Sequence, residues 1–161
     1  MSGDGQPTAD SLSLDTDGSG LRVTIVSGLW HTRISDGLLA GARRVLDASG
    51  AEVALVQVPG SFELPVAAKV ALEGGANAVV ALGVIVRGET PHFDYVAAAA
   101  TDGLTRVALD TGKPVGFGVL TVDDEQQGLD RAGLPDSKED VGARAAEAAL
   151  AMAHVLRGLR G

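Results

Sequence analysis

Cysteine is absent from this chain of 161 residues, which excludes disulfides, thiolate nucleophiles and cysteine-based metal sites but does not identify a compartment. Aromatic side chains are scarce too. One tryptophan, one tyrosine and three phenylalanines make up 3% of the chain, so any core must be built mainly from alanine, valine and leucine. Positive charge is in deficit: 13 lysines and arginines face 21 aspartates and glutamates, for a formal net charge of -8. That balance argues against nucleic acid as a partner, because phosphate backbones are held by clustered cations. No apolar stretch reaches the roughly 20 residues that span a bilayer, so no membrane partner is expected. Nor does a basic, apolar leader open the sequence, which makes the cytoplasm the expected compartment.

What is present points to one domain, since 45% of the residues are hydrophobic and no segment repeats. Residues 1–20 hold four aspartates and no lysine or arginine, with many Gly, Ser and Thr and no hydrophobic periodicity. They read as a disordered acidic arm preceding a folded domain over residues 21–161. Residues 21–27 predict a strand, and Ile34, Leu38, Ala42, Val45 and Leu46 recur at helical spacing up to Gly50. A second strand is predicted over residues 52–58 and a helix over 63–73, where Pro65 fits only in the first turn. Residues 77–86 form a third strand, 91–111 a third helix, 114–120 a fourth strand and 123–132 a short helix. Ser137 and Asp140 have capping-box spacing ahead of a last helix to about Arg157, with His154 on one face. Strand–helix alternation of this kind implies an α/β fold, a parallel sheet with helices on both faces and right-handed crossovers.

Such open sheets bind ligands beyond the carboxyl ends of their strands. The richest of those ends is GVIVRGETPHFDYV, residues 83–96. Thr90 and Pro91 read as an N-cap and first helical residue, which would place the positive end of a helix dipole at a glycine-relaxed loop suited to phosphate. His92, at the second helical position, stands close enough to exchange protons with a ligand. All five aromatics fall in or near strand ends, and Trp30, followed at once by His31, is the best candidate to stack on a planar molecule. Phe93, Tyr95 and Phe117 are read equally well as core residues beside the rim.

At this point the chain resembles a known family, the 6,7-dimethyl-8-ribityllumazine synthases of riboflavin biosynthesis. The resemblance is carried in family order by SGLWH at 27–31, VPGSFELP at 58–65, ALG at 81–83, RGETPHFDY at 87–95, GFGVLT at 116–121 and LDRAG at 129–133. It implies a single-domain three-layer sandwich in which a four-stranded parallel sheet with flavodoxin-like winding is flanked by helices. It also implies condensation of 5-amino-6-ribitylamino-uracil with 3,4-dihydroxy-2-butanone 4-phosphate, with loss of phosphate and water and without cofactor or metal. Carried over to this chain, Trp30 would stack on the pyrimidine, Ser61 and Glu63 would hold the ribityl hydroxyls, Val84, Ile85 and Val86 would line the pyrimidine edge, and His31 and Phe62 would be further substrate contacts. Gly88, Glu89 and Thr90 would cradle the phosphate, and His92 would shuttle protons. Phe117 and Arg131 would come from a neighbouring subunit, Arg131 clamping the phosphate. Read from sequence alone, Arg131 suits a helix C-terminus better than a ligand role, and Glu63 suits a first turn, by their charges against the dipole.

Two departures from the family pattern stand out. Val141 takes the place of a lysine that many relatives carry before the glycine matching Gly142, with Lys138 a possible substitute cation one turn earlier. Thr121-Val122 replaces a frequent Thr-Thr. These leave an alternative open, a weakly active or inactive paralogue that binds flavin or lumazine at Trp30 or serves as a structural assembly. Relatives form pentamers, some gathered into shells of 60 subunits. The acidic arm and the connection GLPDS at 133–137, which lacks a Gly-Lys-rich kink, lead us to expect a free homopentamer. Light scattering should return a mass near five subunits; a mass near 60 subunits would overturn this expectation.

Overall fold

The computed structural model describes Gly5, Pro7 and residues 14–161; the rest of the expected arm lies outside the described residues. Nine elements follow in order: β1 (Arg22–Gly28), α1 (Thr32–Ser49), β2 (Glu52–Val58), α2 (Leu64–Glu73), β3 (Ala78–Val86), α3 (His92–Thr111), β4 (Val115–Val122), α4 (Glu125–Leu129) and α5 (Val141–Arg160). A 3-10 turn, Ser61–Glu63, precedes α2. The strands form one sheet in the order β2-β1-β3-β4, every neighbouring pair parallel.

β3 shows why an aliphatic run becomes a central strand. Its side chains alternate between two cores, as period-2 geometry requires. Ala78, Val80, Leu82 and Val84 join Ile34, Leu38 and Leu46 of α1 and Ala146, Ala149 and Leu150 of α5. Val79, Ala81 and Ile85 face the other way, onto Leu64, Ala68 and Leu72 of α2 and Ala100, Leu104 and Val107 of α3. Each fully buried leucine contributes about 2 kcal/mol through removal of apolar surface from water.

Small residues allow the layers to close without aromatics. Gly142 has no room for a side chain, because a Cβ there would overlap the backbone of Leu38. The start of α5 therefore rests directly on α1, and Val141 packs against the first core.

The structure corrects three local expectations. Ser137 does not cap the last helix; its hydroxyl accepts from the Leu134 amide at 2.9 Å and donates to the Leu129 carbonyl. Asp140 is the cap, accepting from the Ala143 amide at 3.1 Å, and it also pairs with Arg44. The helix expected over residues 123–132 shortens to α4. Beyond Leu129 the backbone serves a returning segment instead: the Asp130 carbonyl accepts the amides of Lys138 at 2.7 Å and Glu139 at 2.9 Å, and Val141 donates to the Arg131 carbonyl at 3.0 Å. Finally, β4 runs on to Val122, whose carbonyl accepts the Arg87 amide at 2.9 Å.

Residues just before β1 lie against the helices. The Gly18 amide donates to Ser49 at 2.9 Å. His154 of α5 meets the Asp17 carbonyl at 2.5 Å and the Asp15 carboxylate at 3.5 Å. The amide and then the hydroxyl of Ser19 hold the Asp17 carboxyl below its ordinary value, by hydrogen bonding to the charged form.

The tight contact between α1 and α5 generates a stability prediction. Gly142→Ala should force the two helices apart and cost about 1–3 kcal/mol, as overpacking does. Urea unfolding should show a lower midpoint with an unchanged slope.

Candidate active site

The chain leaves β1 outward to β2 and then returns on the opposite side of β1 as β3. Such a reversal opens a crevice at the carboxyl ends of the two inner strands. A cavity of about 640 Å³ lies there.

Four segments line it. The loop after β1 contributes Trp30 and His31, and the loop after β2 contributes Gly60, Ser61, Phe62 and Glu63. The end of β3 contributes Val84, Ile85 and Val86, and the chain beyond it Gly88, Thr90, His92, Phe93, Tyr95 and Val96. The floor is thus aliphatic and the walls carry the polar groups.

Trp30 is 67% exposed, so its indole is available to a ligand and is not spent on the core. It stands over Gly60, where an added Cβ would lie 3.1 Å from indole Cδ1 and Nε1 and 3.6 Å from Glu63 Oε2. Indole and carboxylate therefore share one end of the cavity. His31 turns the chain from β1 into α1 with φ 57° and ψ 65°, the one non-glycine residue with positive φ among those described. Left-handed backbone at a cavity wall is strained for a residue with a Cβ, and it sets the direction in which the Trp30-His31 pair leaves the strand. Across the cavity, Gly83 makes room for the second loop: a Cβ there would overlap Ser61 Oγ and lie 3.1 Å from Leu64 Cδ1.

The loop before α3 leaves backbone donors open. The amides of Gly88, Glu89 and Thr90 have no acceptor among the described residues. The Thr90 hydroxyl accepts from the His92 amide at 3.4 Å. The helix starts at His92, one residue later than expected, with Pro91 as its cap position. His92 is therefore its first residue and is exposed at the cavity wall.

The structure thus brings together Trp30, His31, Ser61, Phe62, Glu63, Val84, Ile85, Val86, Gly88, Thr90 and His92 around one cavity. Glu89 is exposed on the same loop but does not line it, and Phe117, Arg131 and Lys138 lie outside their own chain's cavity. Phe117 is 45% exposed on the edge strand β4. Arg131 donates to the Gln127 carbonyl at 2.9 Å and stands 3.6 Å from Glu139. Lys138 pairs with Asp130 at 3.6 Å. Sequence reading missed Gly60 and Val96 as wall residues and left Phe93 and Tyr95 undecided. Tyr95 is 74% exposed. The signal was there in the helical spacing, since Tyr95 and Val96 lie three and four residues beyond His92 and so share its face. Among the described residues, no three His, Asp or Glu side chains are grouped to hold a metal ion.

The backbone at His31 yields a second prediction. His31→Ile should be about 1–2 kcal/mol less stable than His31→Gly, because a β-branched residue resists the left-handed region while glycine enters it freely. Thermal unfolding of the two variants would measure the difference.

The sequence relationships agree with this geometry. A family model described as 6,7-dimethyl-8-ribityllumazine synthase matches residues 20–157. A 6,7-dimethyl-8-ribityllumazine synthase from Leifsonia xyli subsp. xyli is 70% identical over 161 residues, covering all of both chains. The protein of that name from Clavibacter sepedonicus is 66% identical across all of this chain and 99% of its own. Another from Kineococcus radiotolerans is 61% identical across 99% of this chain and 96% of its own. With residues 20–157 matched by the family model and full-length relatives up to 70% identical, the chain belongs to the 6,7-dimethyl-8-ribityllumazine synthase family.

Proposed function

We propose that this cavity is where the chain, a transferase of riboflavin biosynthesis, condenses 5-amino-6-ribitylamino-uracil with 3,4-dihydroxy-2-butanone 4-phosphate. The products are 6,7-dimethyl-8-ribityllumazine, phosphate and water. One observation carries the placement: an exposed indole, a histidine and a loop of unpartnered amides open onto the same cavity.

In this reading the pyrimidine stacks on Trp30, with its edge along Val84, Ile85 and Val86 and with His31 and Phe62 beside it. Ser61 and Glu63 hold ribityl hydroxyls. The amides of residues 88–90, the Thr90 hydroxyl and the positive end of α3 receive the phosphate, since donors at a helix start favour an anion. Condensation requires a proton to leave the attacking amine, water to depart as the C=N bond forms, and phosphate to depart from carbon. His92 suits that traffic because imidazole both accepts and donates protons near neutrality. Much of the remaining acceleration comes from holding the two substrates together.

A departing phosphate also calls for a cation, and among the described residues no lysine or arginine lines the cavity of a single chain. We assign that charge to Arg131 of a neighbouring copy, with Phe117 of that copy closing the pocket. The enzyme then works as a homo-oligomer, a pentamer in the simplest arrangement, on small-molecule substrates in the cytoplasm. Val141 is packed against the core and carries no charge; this reading places Arg131 first, with Lys138, 3.6 Å from Asp130 and largely exposed, as its substitute cation.

Steady-state condensation assays test the assignment. His92→Gln should lower kcat by about 100-fold, the scale of a lost proton-transfer group. Arg131→Ala should raise KM for the phosphorylated substrate by about 10-fold to 100-fold, in keeping with loss of a charged hydrogen bond. Mixed oligomers of the two variants should regain activity, because some sites then pair an intact His92 with an intact Arg131. Activities that merely add would show that the site is not shared.

A further inference from the structure

Arg87 directly precedes the loop assigned to phosphate, lies against the cavity-wall residue Phe93 and is the cation nearest to that loop in sequence. Its guanidinium is nevertheless engaged elsewhere. Nε lies 3.0 Å from Asp123 Oδ1, in the turn after β4. Another guanidinium nitrogen lies 3.8 Å from Asp94 Oδ1, in the first turn of α3. The guanidinium carbon sits 4.4 Å above the ring of Phe93, a wall residue. Two carboxylates beside one guanidinium leave a local excess of negative charge, which does not welcome a phosphate dianion.

The loop itself needs a fastening. Its amides have no acceptor among the described residues, and nothing lies within 4 Å of a Cβ built at Gly88. Its shape is therefore set from its ends, and Arg87 and Asp94 stand on either side of it. Resting on the site reading above, we propose that Arg87 is a positioning residue of the condensation. It clasps the start of the phosphate loop to the first turn of α3 and to the β4–α4 turn, so that the loop amides and His92 are held ready before substrate arrives. Lysine cannot replace it in full, because the clasp uses the fork of the guanidinium and its planar face together.

The clasp is solvent-accessible, with side-chain exposures of 50% for Arg87, 65% for Asp123 and 66% for Asp94. Exposed pairs add little to global stability. Its loss should therefore register in substrate binding before it registers in unfolding.

The test is a kinetic comparison of Arg87→Gln, Arg87→Lys and Asp123→Asn, together with thermal unfolding and titration of the free enzyme with inorganic phosphate. Arg87→Gln should raise KM for the phosphorylated substrate about tenfold, the scale expected when reacting groups are held less well, and leave KM for the pyrimidine within about twofold. Phosphate affinity should fall in parallel, while Tm stays nearly unchanged. Arg87→Lys and Asp123→Asn should fall between wild type and Arg87→Gln. Unchanged KM values, or losses in both KM values and Tm together, overturn the proposal. If Asp123→Asn tightens phosphate binding, Arg87 is a direct ligand and the positioning role is likewise overturned. A silent Arg87→Gln beside effective His92→Gln and Arg131→Ala would refute the clasp alone, whereas silence in all three would refute the site reading.

Discussion

Burial of β3 on both faces is the constraint on which the rest of the structure depends. A strand hidden from water along nearly its whole length can carry only aliphatic side chains, and residues 78–85 do. Because its side chains serve two cores in alternation, β3 fixes which helices share a face, α1 with α5 and α2 with α3. The same strand ends at the cavity, where Val84, Ile85 and Val86 become floor and Arg87 begins the exposed loop. Core and site are thus consecutive parts of one segment.

Scarcity of large side chains shapes how the layers meet. With its few aromatics near strand ends, the protein packs alanine, valine and glycine, and the backbones come close together. Gly142 lets α5 rest on α1, and Gly83 lets the Ser61 loop settle onto β3. The second contact serves the site as well as the core, because it places the loop that carries Ser61 and Glu63. Sparing the aromatics from the core leaves Trp30 and Tyr95 exposed at the cavity wall.

Charge is arranged with similar economy. Arg87, Arg131 and Lys138 each have a carboxylate nearby within the same chain, so in the proposed reading the single-chain cavity relies on amides and a helix terminus to attract an anion. Amides in a loop must be held in a fixed orientation to do that. In the clasp proposed above, the engagement of Arg87 with both Asp94 and Asp123 gives the loop its outside support.

Local chemistry was enough to read the alternation of strands and helices, the parallel sheet and most of the rim, because turns, caps and buried strands leave signatures within a few residues. β2 was legible to the residue, and RGETPHF showed its loop and, to within one residue, its helix start. Ser137 looked like a cap because spacing cannot reveal that the Asp130 carbonyl accepts the amides of Lys138 and Glu139, which holds the chain in a loop until Asp140. Helical spacing put Tyr95 and Val96 on the face of His92, and the direction of α3 beside the cavity turned that face into a wall. The clasp of Arg87 and Asp123 spans 36 positions and exists because β4 lies beside β3, a consequence of strand order. The sequence by itself determined the elements, the family and the chemistry available at each strand end. Tertiary structure alone decided which of those groups face one another, because that depends on helix direction, strand order and close approach between residues far apart in the chain.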